Sequence, residues 1–369
     1  MGRDVVNRGA GVSVYSNGSS KPHRPLKAAV GGTSLKNTMA TAIQRLRDSI
    51  SGVFLGNPRA VEQVICCLLA KGHVLIEDVP GVGKTVLATA LARSVDCTFN
   101  RIQLTPDLMP SDIIGVSLFR AEGGGGNGNG LKGAFEFKKG PIFANIVLAD
   151  EINRTPPRTQ TALLEAMSEA TVTVDGKTHI LDQPFMLIAT QNPFDFEGTY
   201  PLPENQLDRF FMRISLGYPS PEVESRVLAL RPADHALHAL KPVLHAGDVL
   251  ELQQQVDRVR MAPTLIQYII ALANATRSRD DLQVGLSPRG ALALAQAARA
   301  TAVLNERDYV VPEDVMDNVL TVCAHRMIGR SSVSVLRGGA GGGMGGTGFP
   351  PDSPQGVLVS ILETLPSPA

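Results

Sequence analysis

Asp78-Val79-Pro80-Gly81-Val82-Gly83-Lys84-Thr85 is the stretch on which the reading of the fold turns. Before it runs an apolar segment, His73-Val74-Leu75-Ile76, short enough for one buried strand. After it, Val86 to Val95 is rich in Ala and Leu and free of Gly and Pro, which predicts a helix. Strand, Gly-rich turn, Gly-Lys-Thr and helix form the arrangement that binds polyphosphate. Glycines let backbone N–H groups turn inward on the anion, and the helix N-terminus adds a partial positive charge. In such a loop Lys84 reaches the terminal phosphates and the Thr85 hydroxyl ligates Mg²⁺. The first Gly of the usual pattern is replaced here by Asp78.

The chain has 369 residues, enough for two domains. Its 35 basic and 35 acidic residues cancel, so no global field draws it to nucleic acid or to an anionic membrane. Cys66, Cys67, Cys97 and Cys323 show neither a C-x-x-C pair nor a zinc spacing and are expected as buried, reduced thiols. No apolar run is long enough to span a bilayer, and the N-terminus carries no signal-peptide core. Met1-Gly2 opens like a myristoylation site, but Val6 stands where Ser or Thr is required. A soluble cytoplasmic protein without membrane insertion is expected.

Residues 1–36, rich in Gly, Ser, Asn and Lys, are expected as a mobile arm. An αβα nucleotide-binding domain is expected over 37–217, beginning with helices through Ile43, Leu46 and Ile50 and from Val61 to Leu69. Thr98 to Leu104 alternates as a strand, and Asp107 to Ile114 reads as a short helix. Val116–Arg120 and Ala134–Lys138 flank a Gly/Asn run at 123–130 and predict a β-hairpin, its Phe119, Phe135 and Phe137 packing onto the body. Thr159 to Ala170 reads as an amphipathic helix. Thr171–Val174 and Thr178–Leu181 flank Asp175-Gly176-Lys177, a strong hairpin signal. Ile146-Val147-Leu148-Ala149 and Phe185 to Thr190 are continuous apolar runs of the kind buried on both faces of a parallel sheet. A last strand is expected near Met212 to Leu216. From 218 to 365 the character is helical, interrupted by a Gly-rich insertion at 338–346.

A phosphate loop needs a metal carboxylate and a base. Asp150-Glu151 closes an apolar run, at the strand end where open α/β sheets place their chemistry. Asp150 can hold Mg²⁺ through its water shell and Glu151 can polarise an attacking water. Asn192 closes the next apolar strand and can contact the γ-phosphate or that water.

Val79-Pro80-Gly81-Val82-Gly83-Lys84-Thr85, Leu148-Ala149-Asp150-Glu151-Ile152-Asn153-Arg154 and Ala189-Thr190-Gln191-Asn192-Pro193 resemble the signatures of the MoxR family of AAA+ ATPases. Thr105-Pro106-Asp107-Leu108-Met109-Pro110-Ser111-Asp112, Pro203-Glu204-Asn205-Gln206-Leu207-Asp208-Arg209-Phe210 and Gly285-Leu286-Ser287-Pro288-Arg289 extend the likeness, in the right order. The resemblance implies a parallel five-stranded sheet with β-hairpin inserts at about 112–140 and 170–182, then an all-α lid. It implies ATP and Mg²⁺ as cofactors, with Val79, Pro80, Gly81, Val82, Gly83, Lys84, Thr85 and Val86 on the nucleotide. Thr85 and Asp150 would serve the metal, and Glu151 would be the catalytic base. Asn192 resembles sensor 1, Arg209 an arginine finger given in trans to a neighbouring subunit, and Arg289 a sensor 2. Gly56 and Asn57 fall where the family builds part of its adenine pocket. Family members form rings, often hexameric, and act as chaperone-like remodellers that mature other complexes, typically with von Willebrand factor A domain partners.

Other P-loop classes fit less well. The second class is a small P-loop enzyme, a GTPase or a kinase; no Asn-Lys-x-Asp guanine signature occurs, and a GTPase has no use for the helical tail. Balanced charge without a basic run disfavours a nucleic-acid motor. A metal-chelatase-type AAA+ motor subunit shares the same inserts and stands as the alternative. A nucleotide-binding scaffold without turnover is disfavoured by the presence of Glu151, Asn192, Arg209 and Arg289 together.

Overall fold

A computed structural model of the chain describes residues 13–15, 32–121, 133–193, 198–230, 237–330 and 349–366. The 123–130 run, the 338–346 insertion and most of the 1–36 arm lie outside the described residues.

Five parallel strands form the centre: β2 (Val74–Glu77), β3 (Phe99–Gln103), β6 (Ile146–Asp150), β9 (Met186–Gln191) and β10 (Met212–Ile214). Their spatial order is β3-β6-β9-β2-β10, so the strand before the phosphate loop is an inner strand, with β9 on one side and the edge strand β10 on the other. Register is continuous across the middle, with Val74 opposite Ile188, Leu148 opposite Ile188, and Gln103 opposite Asp150. Both faces of β2, β6 and β9 are covered, which is why these three read as largely unbroken apolar runs rather than alternating ones. Ile76, Leu148 and Ile188 face one core with α1 (Gly32–Ser51), α2 (Pro58–Leu69) and α3 (Lys84–Ser94). Leu75, Val147 and Leu187 face the other, with α4 (Pro110–Ile114) and α5 (Pro157–Glu169). The four cysteines are buried and free, and burial pushes the thiols of Cys66, Cys97 and Cys323 up to about 12.

Two local readings are corrected. Outside the expected strands, β1 (Ser13–Tyr15) pairs antiparallel with β3 at the sheet edge, and α1 begins at Gly32 rather than near Asn37. Three residues are too few for a period-2 pattern to register. The insert hairpin, β4 (Gly115–Ala121) with β5 (Gly133–Lys139), turns only one of its three phenylalanines inward. Phe137 stacks on His179 of the second hairpin, β7 (Thr171–Val174) with β8 (Lys177–Ile180), at 4.1 Å between centroids. Phe119 and Phe135 pair edge-to-face at 5.4 Å and stay 48% and 72% exposed. All three lie on one face of the ribbon, since Phe135 is two residues from Phe137 and directly opposite Phe119, so what separates them is distance along the ribbon: the pair nearer the tip extends past what the body covers.

The lid is helical. It comprises α7 (Pro221–Leu230), α8 (Ala246–Arg258), α9 (Pro263–Arg277), α10 (Pro288–Leu304), α11 (Pro312–Cys323) and α12 (Pro354–Thr364). A small ribbon, Leu282–Val284 with Ile328–Gly329, is the one addition to the expected all-α lid. Ser-Pro starts two of these helices alike: Ser287 Oγ accepts from Gly290 N–H and Ser353 Oγ from Gly356 N–H, both at 3.1 Å. The final helix docks through buried Val357, Leu358 and Ile361.

His73, just ahead of β2, ties that strand to β9 and to α5. Its Nδ1 accepts the Leu187 N–H and its Nε2 lies on Met167 O, each at 2.9 Å, which fixes a neutral imidazole with the proton on Nε2. Burial pushes its pKa down to about 4. The unfolded chain takes up this proton near pH 6.5 and the folded chain does not, so stability falls as pH drops from about 6.5 towards 4. The His73 share is about 3 kcal/mol. Urea midpoints across that window should fall, and His73→Gln should flatten the slope. Identical slopes for the two proteins would contradict this assignment.

Candidate functional site

The phosphate loop leaves the C-terminal end of β2 and enters α3 at Lys84. Gly81 and Gly83 hold φ of +87° and +94°, a region closed to most side chains. A Cβ at Gly81 would project into open space over the loop, where a polyphosphate cradle requires room. Lys84 Nζ donates to Asp78 O at 2.6 Å and lies 3.5 Å from Gln191 O, bridging the tips of β2 and β9. Thr85 and Val86 follow in the first turn of α3, half-buried.

Asp78, the departure from the usual glycine, has a structural purpose. Its Oδ1 accepts the Val79 N–H at 2.9 Å. Its Oδ2 accepts from Ser215 Oγ at 2.9 Å and from the Leu216 and Gly217 N–H groups at 2.7 Å each. The carboxylate thereby ties the loop to the segment after β10, just ahead of the lid. Sequence reading saw the substitution without the partners, because they lie 137 to 139 residues away.

Asp150 and Glu151 stand at the tip of β6. Asp150 is buried; its Oδ2 pairs with Arg101 Nη2 at 2.5 Å and its Oδ1 accepts from Thr190 Oγ1 at 2.5 Å. The same Thr190 hydroxyl accepts the Glu151 N–H at 3.0 Å. Glu151 adopts φ +61°, a left-handed conformation that turns the chain off the strand and costs on the order of 1 kcal/mol. Its Oε2 accepts from Gln103 Nε2 at 2.9 Å and faces Arg154 Nε at 3.4 Å. Asn192 is buried at the tip of β9, its carbonyl accepting from Asn153 Nδ2 at 3.3 Å. Gln191 Oε1 and Asn153 Oδ1 beside it are buried acceptors without a protein partner. Thr190, Arg101 and Gln103 were missed in the sequence, and only strand register brings them to the pair.

Lys84, Asp150, Glu151 and Asn192 therefore converge at neighbouring strand tips. Phe54 links Gly56 to the same loop: a Cβ at Gly56 would lie 2.3 Å from its ring and one at Gly83 3.2 Å. Asn57 caps α2 by accepting the Arg59 N–H at 3.0 Å. Arg209 and Arg289 gather elsewhere. Arg209 Nη1 donates to Leu164 O at 3.0 Å and to Ser168 Oγ on α5. Arg289, 60% exposed on the lid, faces Asp208 at 3.5 Å.

No group of three or more His, Cys, Asp or Glu capable of holding a metal occurs among the described residues. Thr85 and Asp150 still fit Mg²⁺, which keeps several waters and takes one or two protein ligands plus substrate phosphates.

A phosphate loop after the inner strand β2, paired carboxylates at the tip of β6 two strands away and a helical lid define an AAA+ ATPase module. Residues 73–212 match the model of the ATPase family associated with various cellular activities, and 274–335 match an AAA lid domain. The chain is 48% identical to the uncharacterized YeaC of Bacillus subtilis, over 76% of this chain and 85% of YeaC. It is 40% identical to the chaperone MoxR1 of Mycobacterium tuberculosis, over 82% and 80% of the two chains, and 29% identical to MoxR of Methylorubrum extorquens, over 91% and 98%. A crystal structure of an ATPase candidate from Cytophaga hutchinsonii superposes with a TM-score of 0.76 at 35% identity, covering 90% of this chain and 97% of that one. The chain belongs to the MoxR family of AAA+ ATPases.

Asp78→Ala should strip acceptors from four donors at once, costing about 3 kcal/mol in chemical denaturation. It should also weaken nucleotide binding, because the loop loses its anchor. A loss below about 0.5 kcal/mol would show that the clamp contributes nothing beyond what water replaces.

Proposed function

We propose that the chain is a Mg²⁺-dependent ATPase that works as a homo-oligomeric ring, hexameric in the reading favoured here, and remodels partner protein complexes. The observation that carries this is the meeting of Lys84, Asp150, Glu151 and Asn192 at adjacent strand tips, with room above Gly81. Bound Mg²⁺ supplies positive charge against the phosphate oxygens. Val79 to Val86 wrap the phosphates, with Lys84 pairing the terminal charge and Thr85 and Asp150 holding the metal. Glu151, steadied by Gln103, takes the proton of the attacking water, and Asn192 orients that water. Gly56 and Asn57, pressed onto the loop through Phe54, border the adenine. Arg289 reaches back from the lid, and Arg209 is offered to the neighbouring subunit's nucleotide.

The exposed pair Phe119–Phe135 with Leu118, half exposed on the same ribbon, supports a protein-contact role for the insert hairpin. A von Willebrand factor A domain protein is the partner class, and the cytoplasm the compartment, that this reading favours. No described helix is long and apolar enough to cross a membrane.

Glu151→Gln should bind ATP normally and turn over below about a tenth of the wild-type rate, since a general base contributes far more than that. Turnover above that level would remove Glu151 from the base role. Lys84→Ala should lose ATP binding. Arg209→Ala should bind ATP and fail to hydrolyse it, and mixing it with Lys84→Ala should restore part of the activity. In mixed rings an intact Lys84 site meets an intact Arg209 from the other variant. Co-assembled mixtures as inactive as either parent would defeat the trans assignment.

A further inference from the structure

Arg326 is the most heavily engaged charged side chain among the described lid residues, and nothing in the proposed catalytic scheme uses it. It follows α11 in a 3-10 turn, Ala324–Arg326, and is 9% exposed. Its guanidinium is spent on one short body segment, the one that carries Arg209. Nε donates to Asp208 Oδ1 at 3.0 Å; Nη2 donates to Phe210 O at 2.7 Å and lies 3.4 Å from Asp208 O. Nη1 donates to Phe211 O at 3.1 Å and to Val322 O on its own helix. His325 adds Nε2 at 3.0 Å from Phe210 O, and burial keeps that imidazole neutral. On the body side the segment is pinned by Phe210, fully buried in the second core, and by the Phe211 N–H bond to His73 O at 2.7 Å.

A planar fork that takes the carbonyls of residues 208, 210 and 211 leaves residue 209 out of its grip, and the Arg209 guanidinium is turned onto α5, at Leu164 O and Ser168 Oγ. That is an unusual use of a buried charge. An interdomain staple needs one carboxylate, whereas this one reads backbone on both sides of a single residue. Asp208 also takes Arg289 at 3.5 Å from the lid, so two lid arginines converge beside Arg209.

We propose that Arg326 is a positioning residue for Arg209: the lid grips residues 208–211 and so sets the finger that this subunit offers to its neighbour. The inference rests on the trans role of Arg209. Lid orientation in one subunit then controls hydrolysis in the next subunit's site rather than in its own.

The test is a mixing experiment with full-length chains. Arg326→Gln should bind ATP within about twofold of wild type and lose at least about tenfold in kcat, the pattern of an interaction made in the transition state. Mixed with Lys84→Ala, it should recover activity, because its own intact site receives a well-held Arg209 from the Lys84→Ala subunit. If Arg326 acts only on its own site or only on folding, the co-assembled mixture stays at the level of the parents, and the proposal fails. The Arg209→Ala and Lys84→Ala mixture separates the two readings. Rescue there without rescue for Arg326→Gln sinks this proposal alone, whereas rescue in neither sinks the trans finger itself. Should Arg326→Gln not assemble, Arg326→Lys keeps the charge and stem while losing the fork, and the same mixture is read. Wild-type kcat in a folded Arg326→Lys ring would equally overturn the assignment.

Discussion

The Asp78 carboxylate anchors the phosphate loop to the segment after the last strand, and the lid begins a few residues beyond it. Four donors converge on this one side chain, from Val79 on one side and Ser215, Leu216 and Gly217 on the other. Placing a carboxylate beside a polyphosphate loop is electrostatically unfavourable unless its charge is drawn off by short hydrogen bonds, and here it is. The consequence is mechanical. The clamp fastens the loop to residues 215–217, just ahead of α7.

A second constraint works at the other end of the sheet's chemistry. Thr190, fully buried, donates to Asp150 and accepts from the Glu151 backbone, and so fixes a strand tip that would otherwise relax from its left-handed turn. Contacts of this kind are worth more than the exposed pairs around them. Arg289 against Asp208, 60% exposed on the arginine side, contributes at most about 1 kcal/mol. Removing the buried Arg326 costs more, about 1 to 3 kcal/mol, since buried carbonyls lose their donors while Asp208 keeps only its exposed partner.

Much of this was legible in the sequence, for a definable reason. Strands buried on both faces read as unbroken apolar runs, so β2, β6 and β9 stood out, and the residues at their C-terminal ends pointed to chemistry. Asp175-Gly176 announced its hairpin through a turn that needs positive φ, found at +50° and +74°. What escaped depends on partners distant in the chain. Asp78 could be seen as an oddity but not as a clamp, and Thr190 looked like one more strand residue. Arg326 bonds chiefly to backbone carbonyls, which carry no sequence signature at all. Phe119 and Phe135 misled because aromatic residues are usually buried, yet this pair sits further out along the ribbon than Phe137, past what the body covers.

The central claim is that the site is built in one chain and completed by the next. Specific ATPase activity measured against protein concentration, with mass measured on the same samples, tests it most directly. The account predicts that turnover per chain rises with concentration in step with the oligomer and vanishes where only monomer remains. Constant turnover per chain down to concentrations at which the protein is wholly monomeric would contradict it.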